Sequence, residues 1–299
     1  MATSYLNDAF FSRLETLALN LKADLAGFFG GKHLVRTYGQ TVEFADYREY
    51  MMGDDIRRID WNLYSRFEKF FIKLFTDERQ MHTRIFLDCS ASMGAVSQEK
   101  GAYSVAVAAA LGFLSIHNMD KVSFHLMKGK ISDNPFGTIV GKQSFFRAIR
   151  ELEKIEFDGE TEISEAITNC VDDGSNDGLT VIISDFMTDK DWKKAIDYLC
   201  YKKRQILLIQ VLTPEEVEPV YSGRYNLIDV EATDPMDDRN MKLRITRGML
   251  AAYEDALADF IADINSFCMS REAGHIVVRT DNPIEKMLFG ELLKKGIMS

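Results

Sequence analysis

The sequence predicts an α/β protein built on a mostly parallel sheet flanked by helices, with an N-terminal helix and a small β subdomain in front of it. Three observations carry this. From Thr83 onward, apolar strand-like runs alternate with helical patterns, and such alternation implies crossover connections and a parallel sheet. The run Ile206-Leu207-Leu208-Ile209-Gln210-Val211-Leu212 is almost continuously apolar, as a strand covered on both faces must be. Two such strands each run directly into an aspartate, Asp88 and Asp185.

The elements follow in order. Leu6, Phe10, Leu14, Leu17, Leu21, Leu25 and Phe28 step by three and four along one helix face, and Gly30-Gly31 ends the pattern. Mixed flanking charge argues that this helix packs on its own domain rather than on a membrane surface. Thr41 to Phe44 and Phe70 to Leu74 have strand character and, with the helix, define a subdomain over 1–80. Between them lies the charged stretch Asp54 to Asp60, followed by Trp61. Ion pairs are ordinary packing devices, so this stretch is expected to be an internal ion-pair network with Trp61 as a core anchor, in preference to a docking surface.

The larger domain spans 81–299. Arg84 to Leu87 is its first strand and Val105 to Leu114 an apolar, Ala-rich central helix. Val122 to Leu126 is the next strand, and Gly137 to Val140 a short edge strand. Phe145 to Leu152 and Ile163 to Val171 are helices, Leu179 to Ser184 a strand, and Trp192 to Leu199 a helix. After the strand at Ile206, an acidic, turn-rich insertion at about 213–246 is expected to hold a hairpin, Asn226 to Val230 against Met241 to Ile245. Leu250, Tyr253, Leu257, Phe260, Ile264 and Phe267 mark a long helix. His275 to Arg279 is the last strand and Ile284 to Leu293 the last helix.

Bulk properties narrow the function. The 299 residues carry a net charge of −10, which disfavours a phosphate backbone as partner, so nucleic acid is not expected. The longest apolar stretch, Val105 to Ile116, is too short to span a bilayer. Cys89, Cys170, Cys200 and Cys268 are scattered without a CxxC pair, which suits free thiols in a reducing compartment, and a cytoplasmic protein is expected. The five histidines show no metal-ligand spacing, and His125, inside a strand, is expected to be packed. The segment GTIVGKQ at 137–143 has one residue too few between its glycines for a phosphate loop.

The chemistry concentrates in Asp88-Cys89-Ser90-Ala91-Ser92. In open α/β sheets, ligand sites gather at the carboxyl ends of strands. Alternate residues of a turning loop can aim one carboxylate and two hydroxyls at a common point, the oxygen-rich surroundings that a hard cation takes. Thr161, before a helix, and Asp185, after a strand, belong to the same edge. This ordered set resembles the metal-ion-dependent adhesion site of von Willebrand factor A domains. The resemblance implies that Ser90, Ser92 and in some states Thr161 ligate Mg²⁺ or Mn²⁺. Asp88 and Asp185 then act mainly through bound water, and one position stays open for an acidic side chain of a partner. Phe186-Met187 after Asp185 departs from the family, where glycine is common. The substitution Asp88→Ala is expected to spare the fold.

A narrower likeness lies upstream. Tyr47-Arg48-Glu49-Tyr50, then Gly53 to Trp61, ahead of Asp88, resembles the domain-of-unknown-function 58 family over most of the chain. That resemblance implies a protein-interaction module, an adaptor or assembly factor working with a MoxR-type AAA+ ATPase. The alternative is an Mg²⁺-dependent hydrolase using the same carboxylates. It would need a base or nucleophile of tuned pKa, for which the motif supplies only Cys89 nearby.

Overall fold

The computed structural model describes residues 5–20, 43–76, 80–94, 98–170, 178–188, 190–221, 223–227, 241–285 and 290. The chain divides into two units, Lys32–Gln80 and the rest, Met1–Gly31 with Met81–Ser299.

The larger unit begins with α1, Asp8–Asn20. In the smaller unit, β1 (Glu43–Glu49) is followed by a 3-10 turn at Ile56–Arg58, α2 (Trp61–Phe67) and β2 (Phe71–Thr76). The larger unit resumes with β3 (His82–Asp88), α3 (Ala91–Gly94), α4 (Gln98–His117), β4 (Lys121–Lys128), β5 (Ile131–Asp133), α5 (Lys142–Leu152) and α6 (Ile163–Thr168). It continues with β6 (Leu179–Ser184), α7 (Lys193–Tyr201), β7 (Gln205–Leu212), α8 (Pro214–Val217), β8 (Gly223–Leu227), β9 (Met241–Ile245), α9 (Arg247–Met269) and β10 (Gly274–Arg279).

The six-stranded sheet has the order β10-β7-β6-β3-β4-β5. All neighbours are parallel except β5, which runs antiparallel to β4. This is the mostly parallel, helix-flanked sheet that the sequence predicts, in the order of a doubly wound fold with its reversal between β3 and β6. Period-two alternation sends successive side chains to opposite faces. Ile85 and Leu87, Val181 and Ile183, and Leu207, Ile209 and Val211 enter the core under α4. Phe86, Ile182, Ile206 and Leu208 enter the core under α7. Both faces are therefore covered, which is why the centres of β3, β6 and β7 are mostly apolar. The centre of α4, Val105 to Leu111, is buried throughout. Gly94 of α3 and Gly101 of α4 leave room for the Phe157 side chain, whose ring a Cβ added at Gly101 would meet at 2.7 Å.

Several expectations change. The helix α1 packs in the larger unit, not in a subdomain over 1–80: Phe10, Phe11 and Leu14 are buried in the core under α4. The Phe11 ring lies 5.4 Å from that of Phe113 and 5.1 Å from that of Phe146. An amphipathic stripe marks that a helix is buried but not by what, so sequence adjacency to the strands misplaced it. The remainder of the expected helix, and the strand start at Thr41, lie outside the described residues. The edge strand is β5, whereas Ile139 makes a single bridge to Val122. The inserted hairpin is present, with Asn226 opposite Lys242; its expected residues 228–230 are outside the description, as is most of the last helix.

In the smaller unit β1 and β2 pair antiparallel, with a bulge between Phe44 and Asp46. The acidic residues of the charged stretch are bonded within the unit. Asp54 takes both of its oxygens to Arg48, at 2.8 and 2.9 Å, and Asp60 pairs with Lys73 at 3.1 Å while capping α2. The Lys73 contact holds the Asp60 carboxyl below its ordinary range. Arg57 is exposed, and the side chain of Arg58 lies outside the description. Trp61 is not a core anchor: it is 58% exposed, on a helix that buries none of its residues.

Candidate functional site

The sheet topology sets the site. Asp88 is the last residue of β3, and Asp185 directly follows β6, its parallel neighbour. Both therefore stand at the carboxyl edge, at the reversal point where open α/β sheets bind ligands. The loop after β3 is stitched to the segment ahead of α6: Asp158 N–H donates to Cys89 O at 3.0 Å and Ala91 N–H to Gly159 O at 2.8 Å. The same segment is tied to the end of β4, through Gly129 N–H to Glu160 O and Glu162 N–H to Gly129 O. Thr161 is thereby held at the edge, its hydroxyl donating to Met127 O at 3.3 Å.

Asp88, Ser90, Thr161 and Asp185 are buried and Ser92 is half-buried. The Ser90 and Ser92 hydroxyl oxygens lie 3.1 Å apart. Adjacent ligands of an octahedral ion with bonds of 2.0–2.1 Å stand about 2.9 Å apart, so the two hydroxyls have the spacing of neighbouring Mg²⁺ ligands. Asp88 Oδ1 accepts from Ser90 N–H at 3.0 Å and Oδ2 from the Ser184 hydroxyl at 2.6 Å. Burial, then the nearby Asp185, raise the Asp88 pKa, against hydrogen bonds from Ser184, Ser90 and Thr161. All five residues singled out from the sequence thus belong to one edge, and the contacts join Asp88 to Ser90, Thr161 and Asp185, and Ser90 to Ser92.

Two residues were missed. Ser184, the last residue of β6, bonds Asp88 and also accepts from Phe186 N–H at 3.0 Å. Lys100 on α4 has a fully buried side chain whose ammonium reaches Asp185 Oδ2 and Glu216 Oε1, each at 2.8 Å. Glu216 belongs to α8 and forms a capping box with Thr213, so the base of the insertion is tied to the site through one cation. The signal for Lys100 was its position. It stands on the same helix stripe as Ser104 and Val107, where a charge has no access to water without a partner.

The fold also corrects an expectation about Asp88. It is a buried strand residue with two short hydrogen bonds, not a loop carboxylate, so Asp88→Ala would leave Ser184 and the Ser90 N–H without their acceptor. Asn keeps one acceptor and is the better probe. After Asp185, Phe186 takes the left-handed φ of 57° that glycine would otherwise supply. Its buried ring, 5.4 Å from that of Trp192, holds it there. Met187 N–H then closes on Asp185 Oδ1 at 3.0 Å, so the loop keeps a tight turn without glycine.

Among the described residues no three of His, Cys, Asp and Glu converge as a metal cluster. The donor set at this edge is hydroxyls with two carboxylates, which suits a hard oxygen-seeking cation and not a soft one.

Comparison with known proteins agrees with the upstream signature. The chain is 29% identical over 288 residues to the uncharacterized protein Rv1480 of Mycobacterium tuberculosis (strain ATCC 25618 / H37Rv), covering 87% of this chain and 89% of that protein. The uncharacterized protein Mb1516 of Mycobacterium bovis matches to the same extent. Among solved structures it is similar to BatB from Bacteroides thetaiotaomicron, at 18% identity and a TM-score of 0.40, over 73% of this chain and 100% of that one. It is also similar to the SpRpn10 VWA domain, at 8% identity and a TM-score of 0.37, over 73% of this chain and 94% of that one. The model of the family described as "Protein of unknown function DUF58" matches residues 46–258, most of the length that holds both the charged stretch and the β3–β6 edge, and the chain belongs to that family.

Proposed function

We propose that this edge binds one Mg²⁺ or Mn²⁺ ion, and that the bound ion captures an acidic side chain of a protein partner. The supporting observation is the meeting of Asp88 and Asp185 beside two hydroxyls at ligand spacing, with the Asp88 pKa raised by burial and by the nearby Asp185. Ser90, Ser92 and Thr161 would supply hydroxyl oxygens. Asp88, already oriented by Ser184, and Asp185, oriented by Lys100 and Met187 N–H, would hold the water around the ion. A divalent ion there has charge to share, and a partner carboxylate can take the place of a bound water. On a chain of net charge −10 the ion offers an attractive point for an acidic partner.

The chain then acts as a divalent-metal-dependent protein-interaction module, an adaptor or assembly factor for a MoxR-type AAA+ ATPase, the partner that resemblance to the family implies. No observation favours hydrolysis. Burial pushes the Cys89 thiol up to about 12, and Lys100 is bound by two carboxylates, so neither offers a base or nucleophile. The test is affinity capture on immobilised full-length chain from lysate with Mg²⁺ and with EDTA, alongside Ser90→Ala. A MoxR-type ATPase retained by the wild type in Mg²⁺ and lost in EDTA and in the variant is the expected result. Retention that ignores both treatments, or no such ATPase, overturns the reading.

A further inference from the structure

On the sheet face covered by α6 and α7, away from the proposed cation site, a second cluster of reactive groups surrounds a cavity of about 470 Å³. Its walls include His125 of β4, Ser132 of β5, Asn134 just past it, and Cys170, two residues past the end of α6. The Cys170 sulfur lies 3.4 Å from His125 Nδ1. His125 Nε2 is 2.9 Å from the Ser123 hydroxyl, which is itself 2.9 Å from His82 Nε2. Ser123 has one proton, so it donates to one imidazole and accepts from the other. When it donates to His82, His125 Nε2 carries a hydrogen and Nδ1 turns a lone pair to the thiol. The His125 ring is fixed in that orientation by stacking on Phe86, with centroids 4.6 Å apart.

Two further facts point to a small polar molecule. Ser132 and Asn134 line the cavity, and Ser132 Oγ and Asn134 Oδ1 are buried atoms with no hydrogen-bond partner among the described residues. Buried polar atoms of this kind are costly unless something in the cavity satisfies them. On its other side, Cys170 lines a narrow cleft together with Arg84, Lys202 and Arg204. Among the described residues, the Cys89 and Cys200 sulfurs contact backbone carbonyls and not a histidine. Cys89 and Cys268 are fully buried, and the half-buried Cys200 has a backbone carbonyl, Arg271 O at 3.8 Å, as its contact.

We propose that Cys170 is a peroxide-reactive thiol, with His125 as its base and the cavity as the chamber that admits a small hydroperoxide. The thiol proton passes to His125 Nδ1. The sulfur attacks one peroxide oxygen, an S–O bond forms and the O–O bond breaks. The leaving hydroxide takes the proton from His125 and departs as water. Sulfur is oxidised by two electrons to sulfenic acid, and the peroxide is reduced.

The experiment exposes the full chain to hydrogen peroxide in the presence of dimedone and maps the adduct on all four cysteines by mass spectrometry. The expected result is adduct on Cys170 formed about tenfold or more faster than on Cys200. In His125→Phe, which keeps a ring against Phe86 and removes the base, Cys170 falls to the Cys200 rate. Circular dichroism checks that the variant folds; if it does not, the wild-type ratio alone decides. Equal rates at Cys170 and Cys200, no adduct on Cys170, or an unchanged ratio in folded His125→Phe overturns the proposal.

Discussion

At the reversal point of the sheet, Lys100 pairs with both Asp185 and Glu216, while Asp88 is held by hydroxyl and amide donors rather than by a cation. Removing one partner of a buried ionic cluster leaves the others unneutralised. Lys100→Met is therefore expected to lower unfolding stability by about 3–5 kcal/mol in urea titrations. Added Mg²⁺ should recover more stability in the variant than in the wild type, because the ion then meets an uncompensated carboxylate. A second residue gives a pH signature away from the site. Asp120, half-buried and bonded by Met81 N–H at 2.8 Å, is pushed up by burial to about 6 from an ordinary 3.8. Between these values the native chain holds a proton that the unfolded chain has released, so stability falls as pH rises from about 4 to about 6. Asp120→Asn keeps an acceptor and should remove that dependence. It should gain about 1–2 kcal/mol near neutral pH, after allowing for solvent screening of a half-exposed group. At this scale the sequence made Asp88, Ser90, Ser92, Thr161 and Asp185 legible, because their order along the chain maps onto strand ends. Lys100 and Ser184 were not, since a lysine in a helix resembles a solvated charge and a serine closing a strand resembles a turn residue.

Elements were legible where period and burial agree and misplaced where the partner of a face decides. The strands β3, β6 and β7 and the helices α4 and α9 follow directly from apolar runs and helical spacing. The edge strand does not: β5 is three residues long and largely exposed, so it carries little apolar pattern, while Gly137 to Val140 carries more and pairs through one bridge. The helix α1 shows the same limit. Its stripe predicts burial, yet only three-dimensional contact shows that Phe113, Phe145 and Phe146 receive it. Phe11→Ala should destabilise the larger unit by about 3–5 kcal/mol, read from the near-ultraviolet and thermal unfolding of the chain. If α1 belonged with β1 and β2, unfolding of the larger unit would not change.

For the whole molecule, the two units differ in how they treat apolar surface. The larger one buries most of its described phenylalanines in two cores, one on each sheet face, and exposes Tyr201. The smaller one leaves Trp61, Phe67 and Phe70 substantially exposed around an ion-paired stretch. No helix of the described chain is long and apolar enough to cross a membrane. On a chain of net charge −10, the proposed cation at the β3–β6 edge would change what that surface can attract. The most direct test of that claim is calorimetric titration of Mg²⁺ and Mn²⁺ into the wild type and into Asp88→Asn, with both proteins shown to be folded. The account predicts one ion per chain for the wild type and at least about tenfold weaker binding for the variant. Equal binding by the two proteins, or no binding by the wild type up to about 10 mM ion, would contradict it.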